Sequence, residues 1–499
     1  MSQNASHLDA RRSMKMPLLQ SSRALLLIAC GLLLAVLAVP AWAVAVSADP
    51  QWYSVHLDGR KIGRFVITRS ATAEGVQTHQ LMQLELQRDG QALPLHSEMT
   101  TRESNEGRPI SFSNVLDTGG SRVETEGEIR AGVASVRIRQ GKRLLEQTFD
   151  WPTGALLVEG ERLAALRAGD HRGAKHSVMH FDIDALRALP LATEVIGYQN
   201  IELYGSTERA LALRQTLNAA GTQIVSEVWV DPSDFALRRM HMPMLGVFLD
   251  VIACDQACAE APNQALDLLA ATTVQGPRAL SRRDRKRALS YQISFSGQAP
   301  VAADLPGQQR IMGGSSMQVT VDPSGSAERP PDASDLAPNR WLQSDHPTLT
   351  ALAQRMAGKA KSDAETMRRL QSGVARHIAT KSLRIGYASA LETIELAEGD
   401  CTEHALLLAA LGRARGIPTR VASGLAYVPS FAGRSAVFVP HAWVYAWIDH
   451  RWLGFDAALP DFGAGHLALD VGNGDPFGFY AGLNLLGRLQ IDGIERAKR

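Results

Sequence analysis

The sequence predicts an α+β protein: a large N-terminal region of mostly antiparallel strands, then a smaller C-terminal region that mixes helix and strand. Three observations predict it. From Trp52 to about residue 322, short segments of alternating hydrophobicity recur between Gly, Asn and Asp, as half-buried strands joined by turns do. Between Asp322 and Pro347 the composition shifts to Pro, Ser, Gly, Asp and Ala, which marks an exposed connection. Beyond it the apolar spacing becomes helical and then gives way to an aromatic, β-branched run. A length of 499 residues exceeds one typical domain and fits this division.

Taken in order, residues 1–23 are polar and carry Arg11, Arg12, Lys15 and Arg23, and Ala24 to Val39 is apolar throughout apart from one glycine. Pro40-Ala41-Trp42-Ala43 follows, so 1–43 has the three-part layout of a secretory signal with a small-x-small pattern ending at Ala43. Cleavage there is the favoured reading, and an uncleaved inner-membrane anchor is the alternative. Either way the basic flank stays cytoplasmic and the body is expected to be periplasmic or otherwise extracytoplasmic. Leu27-Ile28-Ala29-Cys30 looks like a bacterial lipobox, but the apolar run continues past the cysteine, which disfavours lipidation.

Residues 44–322 are expected to form one large β domain or two subdomains. Tyr53 to Leu57, Asp58-Gly59 and Ile62 to Thr68 read as a hairpin. Alternating segments follow at Met82–Gln87, Val133–Arg139, Ser177–Ile183, Leu211–Leu217 and Ile224–Val230, with a short helix near Asp184 to Ala188. No nucleophile constellation occurs here, so substrate presentation or partner binding is the default role. Cys254 and Cys258 are close enough in sequence to pair in an oxidising compartment, and they lack the further ligands of a metal site. The basic run Arg282 to Arg287 is interrupted by Asp284 and reads as a solvated loop. With 52 Lys plus Arg against 51 Asp plus Glu, nothing marks a nucleic-acid binder.

After a linker at 323–345, the region 346–499 opens with a helical segment near Thr348 to Met356. Ser362-Asp363-Ala364-Glu365 then starts a second helix, whose Met367, Leu370, Val374 and Ile378 share one face. Gly399-Asp400-Cys401-Thr402-Glu403 carries an N-cap aspartate and a glutamate three positions on, which puts Cys401 at the first position of a buried helix. Unpaired amides at a helix start favour a thiolate, but Asp400 and Glu403 oppose it, so the sulfur needs a cationic partner.

His441 is the candidate. His441, Trp443, Tyr445 and Trp447 fall on one face of a strand, Asp449-His450 is its turn, and Arg451 to Phe455 returns, ending at Asp456. With a two-residue turn, Asp456 stands opposite Trp443 and diagonal to His441 on the same face. A one-residue slip would send it to the other face. Taken singly, a cysteine is more often an inert buried thiol, a histidine a hydrogen-bonded core residue and an aspartate a turn former. The chain order and the strand parity together point to acyl transfer by nucleophile, base and orienting carboxylate. Asp461 is the fallback third member, His404 a secondary polar candidate, and Trp443, Tyr445 and Trp447 candidate walls of an acyl groove.

GDCTEHALLLAALGRARGIPTRVASGLAYV followed by HAWVYAWIDHRWLGFDAALP resembles the core of the transglutaminase-like superfamily, a papain-like group with Cys, His and Asp in that order. The resemblance covers roughly residues 345 to 495. It implies a helix packed on an antiparallel sheet, with Cys401 as nucleophile, His441 as general base and Asp456 as third member, and no cofactor or metal. The activity expected is that of an exported cysteine enzyme acting on peptide or side-chain amides of an envelope peptide or protein. Hydrolysis is favoured over amine transfer, and a non-catalytic peptide-binding module is the reading from a different class.

Overall fold

The computed structural model describes residues 49–497, apart from 89–90, 118–121, 141–142, 220–221, 245–246, 268–270, 296–307, 314–315, 328, 382–386 and 476–485. The expected signal or anchor at 1–43, with Cys30, lies outside the described residues.

The N-terminal region is one sheet of fifteen described strands. Its centre is the strand Gln51–Leu57, which pairs on one side with Arg60–Thr72 and on the other with Val247–Cys254, the last strand of the run. From that centre one arm follows chain order out to Arg143–Asp150, and the other runs backwards from Val247–Cys254 to Ala155–Leu156. Asp58 and Gly59 both have positive φ, 50° and 73°, as a two-residue hairpin turn requires. Apolar side chains from both arms, among them Tyr53, Val55, Leu84, Leu211, Val228 and Leu249, form its largest core.

One local expectation fails here. The segment 184–186 is a turn leading into the strand Arg187–Leu203, because Asp182 Oδ1 accepts from the amides of Asp184 and Ala185 and closes the chain on itself. A helix does occur at Val158–Ala168, where alternation gives no warning. Glu103 from a neighbouring strand accepts from the Glu159 and Gly160 amides at 2.7 Å each and satisfies its first turn. Cys254 and Cys258 are free thiols, each partly buried.

The strands of 274–321 pair with C-terminal strands. Val274–Gln275 pairs with Arg434–Ile448, while Leu289–Phe295 lies between Ser316–Val321 and Leu489–Arg496. Sequence pattern groups them with the preceding β region, because alternation reports a half-buried strand without naming its neighbour. The connection after residue 322 is also less exposed than its composition suggests. Trp341 and Leu342 are buried with the C-terminal helices, and Trp452 Nε1 donates to the Arg329 carbonyl. Arg420 makes two bonds of 2.8 Å to Asp335 and lies 4.4 Å over the Trp452 ring.

In the C-terminal region the helices Pro347–Ala357 and Asp363–His377 pack against the helix Cys401–Ala414, which lies on the sheet formed by Thr419–Phe431, Arg434–Ile448, Arg451–Phe455 and His466–Gly472. Packing along the cysteine helix is dense: Leu406, Leu407, Leu408 and Leu411 are all fully buried, in one core with Ala442, Val444, Ala446 and Ile448 of the sheet. The opposite face of the sheet carries Trp443, Tyr445, Trp447 and Trp452.

Removing the guanidinium from the Arg420–Asp335 pair leaves a carboxylate whose side chain is 7% exposed without its main partner. Arg420→Met should therefore lower C-terminal stability by about 3 kcal/mol in denaturant melts. A loss under about 1 kcal/mol would show that the connection is not anchored there.

Candidate active site

The cysteine helix begins as its sequence predicts. Asp400 accepts from the Thr402 amide at 2.7 Å, and Glu403 reaches back to the Asp400 amide at 2.9 Å. The second Glu403 oxygen accepts from the Ala388 amide at 2.8 Å, tying the helix start to the segment before it. Burial, and then the neighbouring Asp400 carboxylate, push the Glu403 carboxyl well above its ordinary value. His404 is turned onto its own helix, with Nδ1 donating to the Asp400 carbonyl.

The two-residue turn forms, with Asp449 and His450 both at positive φ, 50° and 61°. The ladder pairs Ile448 with Arg451 and Val444 with Phe455, so the expected register is kept up to the residue before Asp456. The parity then brings carboxylate and imidazole together: His441 Nε2 lies 2.8 Å from Asp456 Oδ2. That leaves Nδ1 as the ring nitrogen open to another partner. The half-buried Cys401 thiol lies near enough to the same ring to help hold its proton. Three side chains that are far apart in the chain thus meet, and each is buried or half-buried.

Burial alone would lower the His441 pKa, but the Asp456 carboxylate and then the Cys401 thiol outweigh it and push it up to about 10. Burial alone would raise the Asp456 carboxyl, yet His441 and then His466 hold it well below the usual carboxylate range. The site therefore sets an imidazolium between a carboxylate and the Cys401 sulfur. That set of groups can deliver a sulfur nucleophile and return a proton to a leaving group.

His466, at the start of the strand His466–Gly472, is the residue that sequence reading missed. Its Nε2 lies 2.9 Å from the same Asp456 Oδ2. No motif marks it, and only the pairing of its strand with Thr419–Phe431 brings it in. The fallback Asp461 is elsewhere, 3.1 Å from Arg282 in an ion pair. Trp443 and Tyr445 are 1% and 2% exposed, which makes them core and not groove walls. Phe462 lies flat on Gly454, where an added Cβ would come within 2.1 Å of its ring, and so closes this side of the sheet.

Among the described residues, His441, Asp456 and His466 are the group able to share a metal ion. Ligands around zinc stand roughly 3.3 Å apart at ordinary bond lengths. Both nitrogens lie closer than that to one oxygen, at 2.8 and 2.9 Å, which is hydrogen bonding.

Residues 350–457 match the family described as the transglutaminase-like superfamily. No curated protein matches the chain. Among solved structures, a "putative cysteine protease" from Cytophaga hutchinsonii is similar at 18% identity and a TM-score of 0.27, over 43% of this chain and 84% of that one. A "beta-barrel-like protein" of a domain of unknown function from Brucella abortus is similar at 17% identity and a TM-score of 0.33, over 42% of this chain and 98% of that one. A "putative protease" from Parabacteroides distasonis is similar at 9% identity and a TM-score of 0.20, over 68% of this chain and 64% of that one.

The folded His441 pKa of about 10 lies above its unfolded value of ~6.5. Its contribution to stability is therefore complete below ~6.5 and is lost as pH rises toward about 10. Asp456, depressed by its partners, contributes above its unfolded value of ~4 and loses that contribution as pH falls further. Thermal melts should show wild type losing more stability between neutral and alkaline pH than His441→Gln does. Parallel pH curves for the two would contradict the pairing.

Proposed function

From a chain whose residues 350–457 match the transglutaminase-like core, we propose an exported cysteine enzyme that opens peptide or side-chain amide bonds through a thioester on Cys401. The observation that carries this reading is the contact of one histidine with both the thiol and the buried carboxylate. The apolar segment at 24–39 with its basic flank supports work outside the cytoplasm, on a peptide or protein of the cell envelope.

Each step balances on this chain's own groups. His441 Nδ1 holds the proton that leaves Cys401, so imidazolium and thiolate stand as a pair, and the sulfur adds to the amide carbonyl carbon. The oxyanion that forms meets the Cys401 backbone N–H at the helix start. As the C–N bond breaks, the imidazolium gives its proton to the leaving amine, and a thioester remains on Cys401. His441 then takes a proton from water, hydroxide adds to the thioester, and the acid is released with the thiol restored. Asp456 holds the ring in one orientation throughout and stabilises its cationic form. A primary amine in place of water would make the same site a cross-linking transglutaminase. Water is the acceptor proposed here.

A glutamine-containing peptide incubated with and without a primary amine tests this. Wild type should release ammonia or a cleaved fragment, Cys401→Ala should release neither, and the added amine should not appear in the product. An amine adduct that depends on Cys401 would overturn hydrolysis. Absence of any Cys401-dependent product, with Cys401 no more reactive toward iodoacetamide than free cysteine, would favour a binding module.

A further inference from the structure

The two oxygens of Asp456 are engaged in different ways. Oδ1 accepts from the backbone amides of Ala458 and Leu459, at 2.8 and 2.9 Å, so the turn that follows the strand holds one side of the carboxylate. Oδ2 lies against two imidazoles, His441 Nε2 at 2.8 Å and His466 Nε2 at 2.9 Å. Four donors on two oxygens fill the strong acceptor directions of the group. The carboxylate is 1% exposed, so water does not supply a substitute for any of them.

His466 is held as firmly as its partner. It is 4% exposed, and its Nδ1 sits 3.3 Å from the Gly463 amide nitrogen and 3.2 Å from the Gly463 carbonyl. Trp443 meets the ring edge-on at 5.1 Å, and Phe462 lies 4.8 Å from it. Asp456, held well below the usual carboxylate range, has no proton of its own to give. The Nε2 of each imidazole must therefore carry the shared hydrogen, and the loop 463–466 is built to keep that nitrogen aimed at the carboxylate.

We propose that His466 is a positioning residue for the reaction of Cys401: its Nε2–H pins Asp456 Oδ2 and thereby fixes the direction in which His441 presents Nδ1 to the sulfur. This rests on the reading of Cys401 and His441 as the reacting pair. A second donor also spreads the charge of Oδ2 over two hydrogen bonds. Without it the carboxylate turns its whole pull on His441, and the imidazolium persists to higher pH. The titratable groups facing His441 are Asp456, Cys401 and, through the shared oxygen, His466. From the helix, Asp400 and Glu403 are engaged by backbone amides at the helix start. Arg285 passes beside Gly465 in the loop that carries His466.

Iodoacetamide serves as the probe, with the alkylation rate of Cys401 read peptide by peptide across pH in wild type, His441→Gln, His466→Leu and His466→Gln. An upper step is expected in wild type, where the imidazolium loses its proton. His466→Leu should move the upper step up by about one unit. It should also slow alkylation at neutral pH about tenfold, as a loosened base would. His466→Gln, whose amide can donate in the same direction, should return both toward wild type. A residue of purely structural importance would lower the melting temperature and leave the position of the step alone.

An unmoved upper step in folded His466→Leu overturns the proposal while leaving the Cys401–His441 pair standing. A wild-type profile in His441→Gln overturns both. Should His466→Leu fail to fold, histidine-selective nitrogen NMR of the wild-type chain decides the matter. A protonated His466 Nε2 at neutral pH supports the proposal, and a bare one overturns it.

Discussion

The buried Asp456 carboxylate is the charge around which the C-terminal sheet is arranged. Taking an ion of this size out of water costs several kcal/mol unless hydrogen bonds and an opposite charge replace its hydration. Four donors from three places do so: the amides of Ala458 and Leu459, His441 on the neighbouring strand and His466 beyond the following loop. Each constrains a different piece of chain. The strand pair cannot slip by one residue without sending Asp456 to the other face, and the loop cannot straighten without withdrawing His466. A single desolvated group thus couples register, loop geometry and the orientation of the histidine that meets the thiol.

The helix start solves a second electrostatic problem. Its sequence places two carboxylates beside Cys401, which would repel a developing thiolate. Both are engaged by backbone amides, and Glu403 is fully buried with its carboxyl pushed well above the ordinary value. The helix end consequently carries less negative charge than its residues imply. The positive charge of His441 faces the sulfur across the sheet boundary.

Much of this was legible because short-range chemistry determined it. Asp400 and Glu403 announce a capped helix, Asp58-Gly59 a hairpin, and the spacing from His441 to Asp456 a shared sheet face. Each depends on residues within one turn or one hairpin of each other. Illegible features were those set by distant partners. The strands of 274–321 alternate like those before them, and nothing in their own residues says that they pair with Leu489–Arg496 and Arg434–Ile448. The helix Val158–Ala168 has buried glutamates where an apolar face is the usual signal, since Glu159 pairs with Arg162 and Arg69, and Glu161 with His180. His466 sits in no motif at all. The aromatic face that reads as a groove is core, because Phe462 and Trp452 cover it.

The central claim, that Cys401 accepts an acyl group with His441 acting beside it, is tested most directly with an activated ester. Wild type and His441→Gln would be mixed briefly with p-nitrophenyl acetate, quenched in acid and mapped by mass spectrometry. One acetyl group on Cys401, decaying with time in wild type and forming at least about tenfold more slowly in His441→Gln, is the predicted result. Equal acetylation of Cys401 in the two proteins, or acetylation confined to lysines, would contradict it.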